Sequence, residues 1–163
     1  MKPTTIAECW KLQCRLNLHK FIKRLLEGSV TTLTEELELK VQSAGSVTLN
    51  QEDLKKGVEP ESGFYIQNAS LIWGRKRDLV NDPPPDLVVE VDITSSSTRR
   101  LNIYRALQML KVWRCSARSL EIKRLEGGEY VNCESSVTFP MVTAADLWQF
   151  LEKCKDTNDN AVI

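Results

Sequence analysis

Pro83-Pro84-Pro85-Asp86-Leu87-Val88-Val89-Glu90-Val91-Asp92-Ile93-Thr94-Ser95-Ser96-Ser97 is the stretch on which the reading of the chain turns. Three prolines end whatever precedes them, because proline fixes φ and lacks a backbone donor. The apolar run Leu87, Val88, Val89, Val91 and Ile93 is rich in β-branched residues and reads as a strand inside a sheet. Side chains alternate along a strand, so Asp86, Val88, Glu90 and Asp92 share one face and Leu87, Val89, Val91 and Ile93 the other. The second face is ordinary core. The first places two carboxylates, Glu90 and Asp92, about 7 Å apart.

Neighbouring buried carboxylates repel, and an unpartnered buried charge is costly. The strand end therefore either opens to water, with plainly solvated acids, or holds something cationic. A hard divalent ion such as Mg²⁺ is a natural candidate, since it takes oxygen ligands and keeps several waters.

The surrounding chain has 163 residues, the size of one domain with a real core. Formal net charge is zero, so no global basic field marks a nucleic-acid binder, and only a local patch could serve. The five cysteines, Cys9, Cys14, Cys115, Cys133 and Cys154, form no Cys-x-x-Cys pair, which favours reduced thiols in a cytoplasmic protein over disulfides or zinc. No apolar run has the length of a membrane span and no signal peptide is visible, so no membrane association is expected. There is no internal repeat and no low-complexity segment.

Toward the N-terminus, residues 1–17 read as a lead-in. Leu18, Phe21, Ile22, Leu25, Leu26, Val30 and Leu33 recur at helical spacing and predict a helix over 18–33 with one buried stripe. His19, the single histidine, lies beside that stripe; the ordinary role for it is a surface or boundary residue, the alternative a functional one. Residues 36–42 alternate and read as a half-exposed strand. Ser43-Ala44-Gly45 reads as a turn, 46–49 as a short strand, 51–56 as a helical turn or loop, and Gly63-Phe64-Tyr65-Ile66-Gln67 as a strand fed by the acidic loop Glu59-Pro60-Glu61-Ser62. Residues 74–82 read as a charged loop. Its Arg75-Lys76-Arg77 cluster is a solvated surface or a phosphate contact. Trp73 and Tyr65 could form an aromatic ligand surface.

Toward the C-terminus, Ser95-Ser96-Ser97 offers N-cap hydroxyls for a helix over 98–109, with Leu101, Tyr104, Ala106 and Leu107 facing inward. The same helix start could receive a phosphate. Arg100 sits one turn before Tyr104, near the end of the acidic strand. Residues 111–115 and 119–125 read as strands, Gly127-Gly128 as a hairpin turn, and 129–133 as its return. A last amphipathic helix spans 143–153 with Leu147, Phe150 and Leu151 buried, and residues 154–163 form a polar tail. Trp113 and Trp148 belong to the core or to a dimer face. The layout is α/β (α+β): a central mixed sheet flanked by helices.

Glu59-Pro60-Glu61-Ser62-Gly63-Phe64-Tyr65-Ile66-Gln67-Asn68, the segment Asp82 to Ser97, Ile103-Tyr104-Arg105-Ala106-Leu107, Val112-Trp113-Arg114 and Gly128-Glu129-Tyr130-Val131 follow in an order and spacing that resembles the Uma family of restriction endonuclease-like domains, within the PD-(D/E)XK nuclease-like superfamily. The resemblance covers about residues 18–153, and residues 1–17 match poorly. It implies a restriction-endonuclease-like fold and a site made of an acid before one strand and a D/E-x-K on the next. Glu61 falls where the family shows the Asp of its Glu-Pro-Asp segment, Glu90 falls on the D/E position, and Asp92 falls on the lysine. Arg100 falls where many members carry a lysine on the following helix, and His19 falls near a histidine of the first long helix.

What the resemblance implies is an endonuclease that hydrolyses DNA phosphodiester bonds with Mg²⁺ or Mn²⁺. Glu61, Glu90 and Asp92 would be the metal ligands, and Arg100 would join them as the catalytic cation. It also implies homodimers, because cutting two strands needs two sites. The competing class is an inactive nuclease-fold module that binds protein or nucleic acid. Glu61, one methylene longer than aspartate, and Asp92, an acid in the lysine position, are the residues that separate the two.

Overall fold

The computed structural model describes residues 6–44, 61–76, 78, 81–93 and 98–157. Helix α1 (Ile6–Glu36) begins well before the predicted residue 18 and takes in residues 6–17 of the expected lead-in. Its stripe is the one the periodicity implied: Phe21, Ile22, Leu26 and Val30 are buried, and Leu18, Leu25 and Leu33 pack partly buried beside them.

The strand expected over 36–42 is not there. Helix α1 continues to Glu36 and closes with a Schellman motif, in which Glu38 takes the left-handed conformation (φ 52°) and Leu39 N–H donates to Thr34 O at 2.8 Å. The alternation of Leu37 and Leu39 misled because neither faces a core; both stay exposed. Only Gln42–Ser43 (β1) pairs as a strand, and Ser43, read as a turn residue, belongs to it. The short strand at 46–49, the helical turn at 51–56, Glu59-Pro60, Arg77 and the Ser95–Ser97 cap lie outside the described residues.

Strands β2 (Ser62–Tyr65), β3 (Leu87–Asp92), β4 (Lys111–Ser116), β5 (Leu120–Glu126) and β6 (Glu129–Cys133) complete a six-stranded sheet in sequence order. Neighbours run antiparallel except β3 and β4, which are parallel and joined through α3 (Thr98–Ala106). A parallel pair needs such a crossover, and it places α3 against the sheet. Short α2 (Ala69–Ile72) follows β2, and α4 (Ala144–Thr157) closes the described chain. Gly63 sits where a Cβ would press within 3.0 Å of Ala44 Cβ and 3.2 Å of Pro85 Cγ, so glycine allows the edge and the proline run to close on β2.

The two faces of β3 behave as the alternation required. Leu87, Val89 and Val91 join Phe64, Trp113, Cys115 and Ile122 in the core that packs against α1 and α4. Val88 joins Val112, Tyr104 and Met109 under α3. Helix α3 ends at Ala106, three residues before the expectation, through a second Schellman turn with Gln108 at φ 56°. Beyond its end Met109 folds back onto Tyr104 in the same cluster, while Ala106, expected inside, is exposed.

Three further expectations are corrected. Trp113 is fully buried, edge-on to Phe139 at 6.0 Å between ring centroids, so it cannot line a dimer face. Tyr65 is buried and donates its hydroxyl to Pro83 O, so it forms no aromatic surface with exposed Trp73. Phe150 is exposed at the rim of a groove between α1 and α4, whereas Leu147 and Leu151 are buried as expected.

Candidate active site

Antiparallel pairing sets the site. Ser62 stands opposite Val89, which brings Glu61, just before β2, beside Glu90 in β3. The Glu61 backbone N–H donates to Glu90 Oε1 at 3.4 Å. Helix α1 holds the same segment from the other side. His19 Nε2 lies 2.9 and 2.8 Å from the two Glu61 carboxylate oxygens, and Ser62 Oγ donates to Glu27. Helix α3 supplies Arg100 and, one turn later on the same face, Tyr104. The Tyr104 hydroxyl donates to Glu90 Oε1.

Arg100 is the cation at the centre. Its Nη2 lies 2.8 Å from Glu90 Oε2 and 3.7 Å from Glu61 Oε1, so one nitrogen bridges two carboxylates from separate segments. Arg100 Nη2, Glu90 Oε2 and Glu61 Oε2 are buried and lack an aligned hydrogen bond. An ion pair at 2.8 Å to Glu90 and a longer one at 3.7 Å to Glu61 make this bridge.

Glu90 is wholly buried. Desolvation pushes its carboxyl up to about 6, opposed by the Tyr104 hydroxyl and the Arg100 guanidinium and reinforced by Glu61. Burial, with the adjacent Glu90 charge, raises the Tyr104 phenol as well, so Tyr104 stays a donor.

Asp92 shares the face of Glu90 but is engaged elsewhere. Arg114, directly across β4 from Glu90, reaches diagonally to Asp92 with Nε at 2.8 Å and Nη2 at 2.7 Å. Asp86, third acid of that face, accepts from Ile66 N–H at 2.7 Å, Asn68 N–H at 2.9 Å and Asn68 Nδ2 at 2.7 Å, and so clamps the turn after β2. The structure thus gathers Glu61, Glu90, Arg100 and His19 and sets Asp92 with Arg114. Sequence reading placed Tyr104 only as packing; its spacing of four from Arg100 was the available signal for its place at the site. Arg114 gave none, because its diagonal to Asp92 depends on strand register.

Two hard carboxylates that converge on one cation, the Glu90 oxygen among them buried without a hydrogen-bond donor, suit Mg²⁺ or Mn²⁺. Mg²⁺ is commonly held by one or two carboxylates, with waters and substrate phosphate completing the shell. Among the described residues, no three His, Cys, Asp or Glu groups stand close enough together to hold an ion by themselves. Nor, among them, is any helix long and apolar enough to cross a membrane.

No curated protein matches the chain. The family model Uma2, described as "Putative restriction endonuclease", matches residues 15–150, a span that holds the whole sheet and every residue of the Arg100 cluster. That description supports a nuclease-like function. By its match over most of its length, this chain belongs to the Uma2 family and has a restriction-endonuclease-like fold.

Proposed function

We propose that this protein is a metal-dependent endonuclease that hydrolyses DNA phosphodiester bonds, with Glu61 and Glu90 as the ligands of Mg²⁺ or Mn²⁺. The observation that carries this reading is the convergence of those two carboxylates, from β3 and from the segment before β2, on the single nitrogen of Arg100. A bound ion would supply an activated water and offset charge at phosphorus. The rest falls to the chain. His19 fixes the Glu61 carboxylate through Nε2, and Tyr104 fixes that of Glu90. A guanidinium is no base, so the part left to Arg100 is to stabilise negative charge that develops on the phosphoryl oxygens. Asp92, the third acid expected as a ligand, serves in this reading to hold Arg114. Two strand cuts call for two such sites, so the reading carries a homodimer with it. It also places the protein in the cytoplasm, where free Cys115, Cys133 and Cys154 stay reduced.

The test is cleavage of supercoiled plasmid with Mg²⁺ and with Mn²⁺ by the wild type, Glu90→Ala and Glu61→Asp. The reading expects nicking that EDTA and Glu90→Ala both abolish. Glu61→Asp restores the family's usual aspartate and should raise the rate. If folded wild type and Glu61→Asp both leave the plasmid intact with either ion, the hydrolase reading falls and the inactive binding module replaces it.

A further inference from the structure

We propose that Arg100 is a built-in competitor for the divalent ion: its guanidinium occupies the position between Glu61 and Glu90, and an ion must displace it to bind. This rests on the reading of Glu61 and Glu90 as the metal ligands and adds a loading step to it.

The geometry carries the argument. Arg100 Nη2 stands 2.8 Å from Glu90 Oε2 and 3.7 Å from Glu61 Oε1, which is where a cation drawn by both carboxylates would sit. A guanidinium and a divalent ion cannot share that space, and like charges a few ångströms apart repel. The bridge is suited to exchange. An incoming ion replaces the positive charge that the buried Glu90 and Glu61 carboxylates lose when the guanidinium leaves, so neither acid is left uncompensated. The competitor is also tethered for return. Arg100 lies in the first turn of α3, and Tyr104, one turn on, remains bound to the other Glu90 oxygen. The carboxylates are otherwise held in place: Glu61 by His19, and Glu90 by Tyr104 and the Glu61 N–H. The arginine can therefore leave without collapse of the pair.

Displacement frees a guanidinium beside the ion, where a phosphodiester oxygen can accept from it. Substrate then favours the displaced state, and ion and DNA bind more tightly together than apart.

The experiment is titration of metal-free protein with Mn²⁺, read by electron paramagnetic resonance of free Mn²⁺ and by the shift in melting temperature, without DNA. Wild type, Arg100→Gln, Arg100→Lys and Glu90→Gln are compared after circular dichroism shows each folded. Arg100→Gln should bind Mn²⁺ about tenfold more tightly than wild type. Arg100→Lys should fall between, because its ammonium still opposes the ion but sits on a shorter side chain that reaches less far between the two acids. If Arg100→Gln unfolds, Arg100→Lys alone decides by the same criterion. Equal or weaker binding in the arginine variants, with wild type binding and Glu90→Gln not, overturns the competitor and leaves the metal site standing. Absence of Mn²⁺ binding in every folded protein overturns both.

Discussion

Asp86 and Glu90 are two acids of one strand face, four residues apart, and both are buried, yet they do different things. Asp86 accepts three hydrogen bonds from Ile66 and Asn68, all within one turn, two of them from backbone N–H groups. Its donors are fixed in place by the chain itself. Glu90 takes its partners from two separate elements: Tyr104 and Arg100 on α3, and the backbone ahead of β2. One of its oxygens meets only a charge, without an aligned hydrogen bond. Burial alone therefore does not distinguish a structural carboxylate from a working one. The origin and mobility of the partners do.

The largest expected effect would break this comparison on the structural side. Asp86→Ala leaves the buried Ile66 N–H and the part-buried Asn68 N–H without an acceptor and should cost about 4 kcal/mol of unfolding free energy, read as a lower urea midpoint. Asp86→Asn keeps one acceptor oxygen and should lose about half as much. A stable Asp86→Ala protein that has lost Mn²⁺ binding would place Asp86 in the site and erase the contrast.

Next comes the working side. Glu90→Gln keeps the shape but removes the ionisable oxygen, and plasmid cleavage should fall about a hundredfold while the protein stays folded. Loss of fold without any specific loss of cleavage would put Glu90 in the same class as Asp86.

The pH dependence sharpens the same point. Glu90 holds its proton more tightly folded than unfolded, because its carboxyl moves from 4.5 to about 6. Its contribution to stability is therefore full below pH 4.5 and lost as pH rises through about 6. The difference amounts to about 2 kcal/mol. Urea unfolding in EDTA across that window should show the decline in wild type and a flatter curve in Glu90→Gln. Equal slopes would mean that Glu90 is ionised at little cost.

The smallest effect concerns Asp92. Its carboxylate is nearly buried, but its partner Arg114 is partly open to water. Asp92→Asn should cost about 1 kcal/mol and leave Mn²⁺ affinity within about threefold. A loss of ion binding as deep as that of Glu90→Gln would return Asp92 to the metal ligands.

Much of this was legible in the chain before any coordinates. The Pro83-to-Ser97 stretch defined the buried strand and the face carrying Glu90, because a period of two is written in residue type. The stripe of α1, the crossover helix with Arg100 and Tyr104, and the hairpin at Gly127-Gly128 follow from equally local rules. Local rules also misfired locally. Leu37, Leu39 and Val41 alternate like a strand, but α1 packs its stripe on the sheet, runs to Glu36 and takes residues 37–39 into its Schellman stop.

The sequence by itself determined which acids lie on one face and that something cationic, or water, had to meet them. The family resemblance already put Arg100 with Glu61 and Glu90; tertiary structure alone decided that one of its nitrogens reaches both, and that Asp92 goes to Arg114 instead. Partner choice among charges depends on strand register and on the approach of helices from distant parts of the chain. Coulomb attraction has no sequence period, so only the folded distances could assign it.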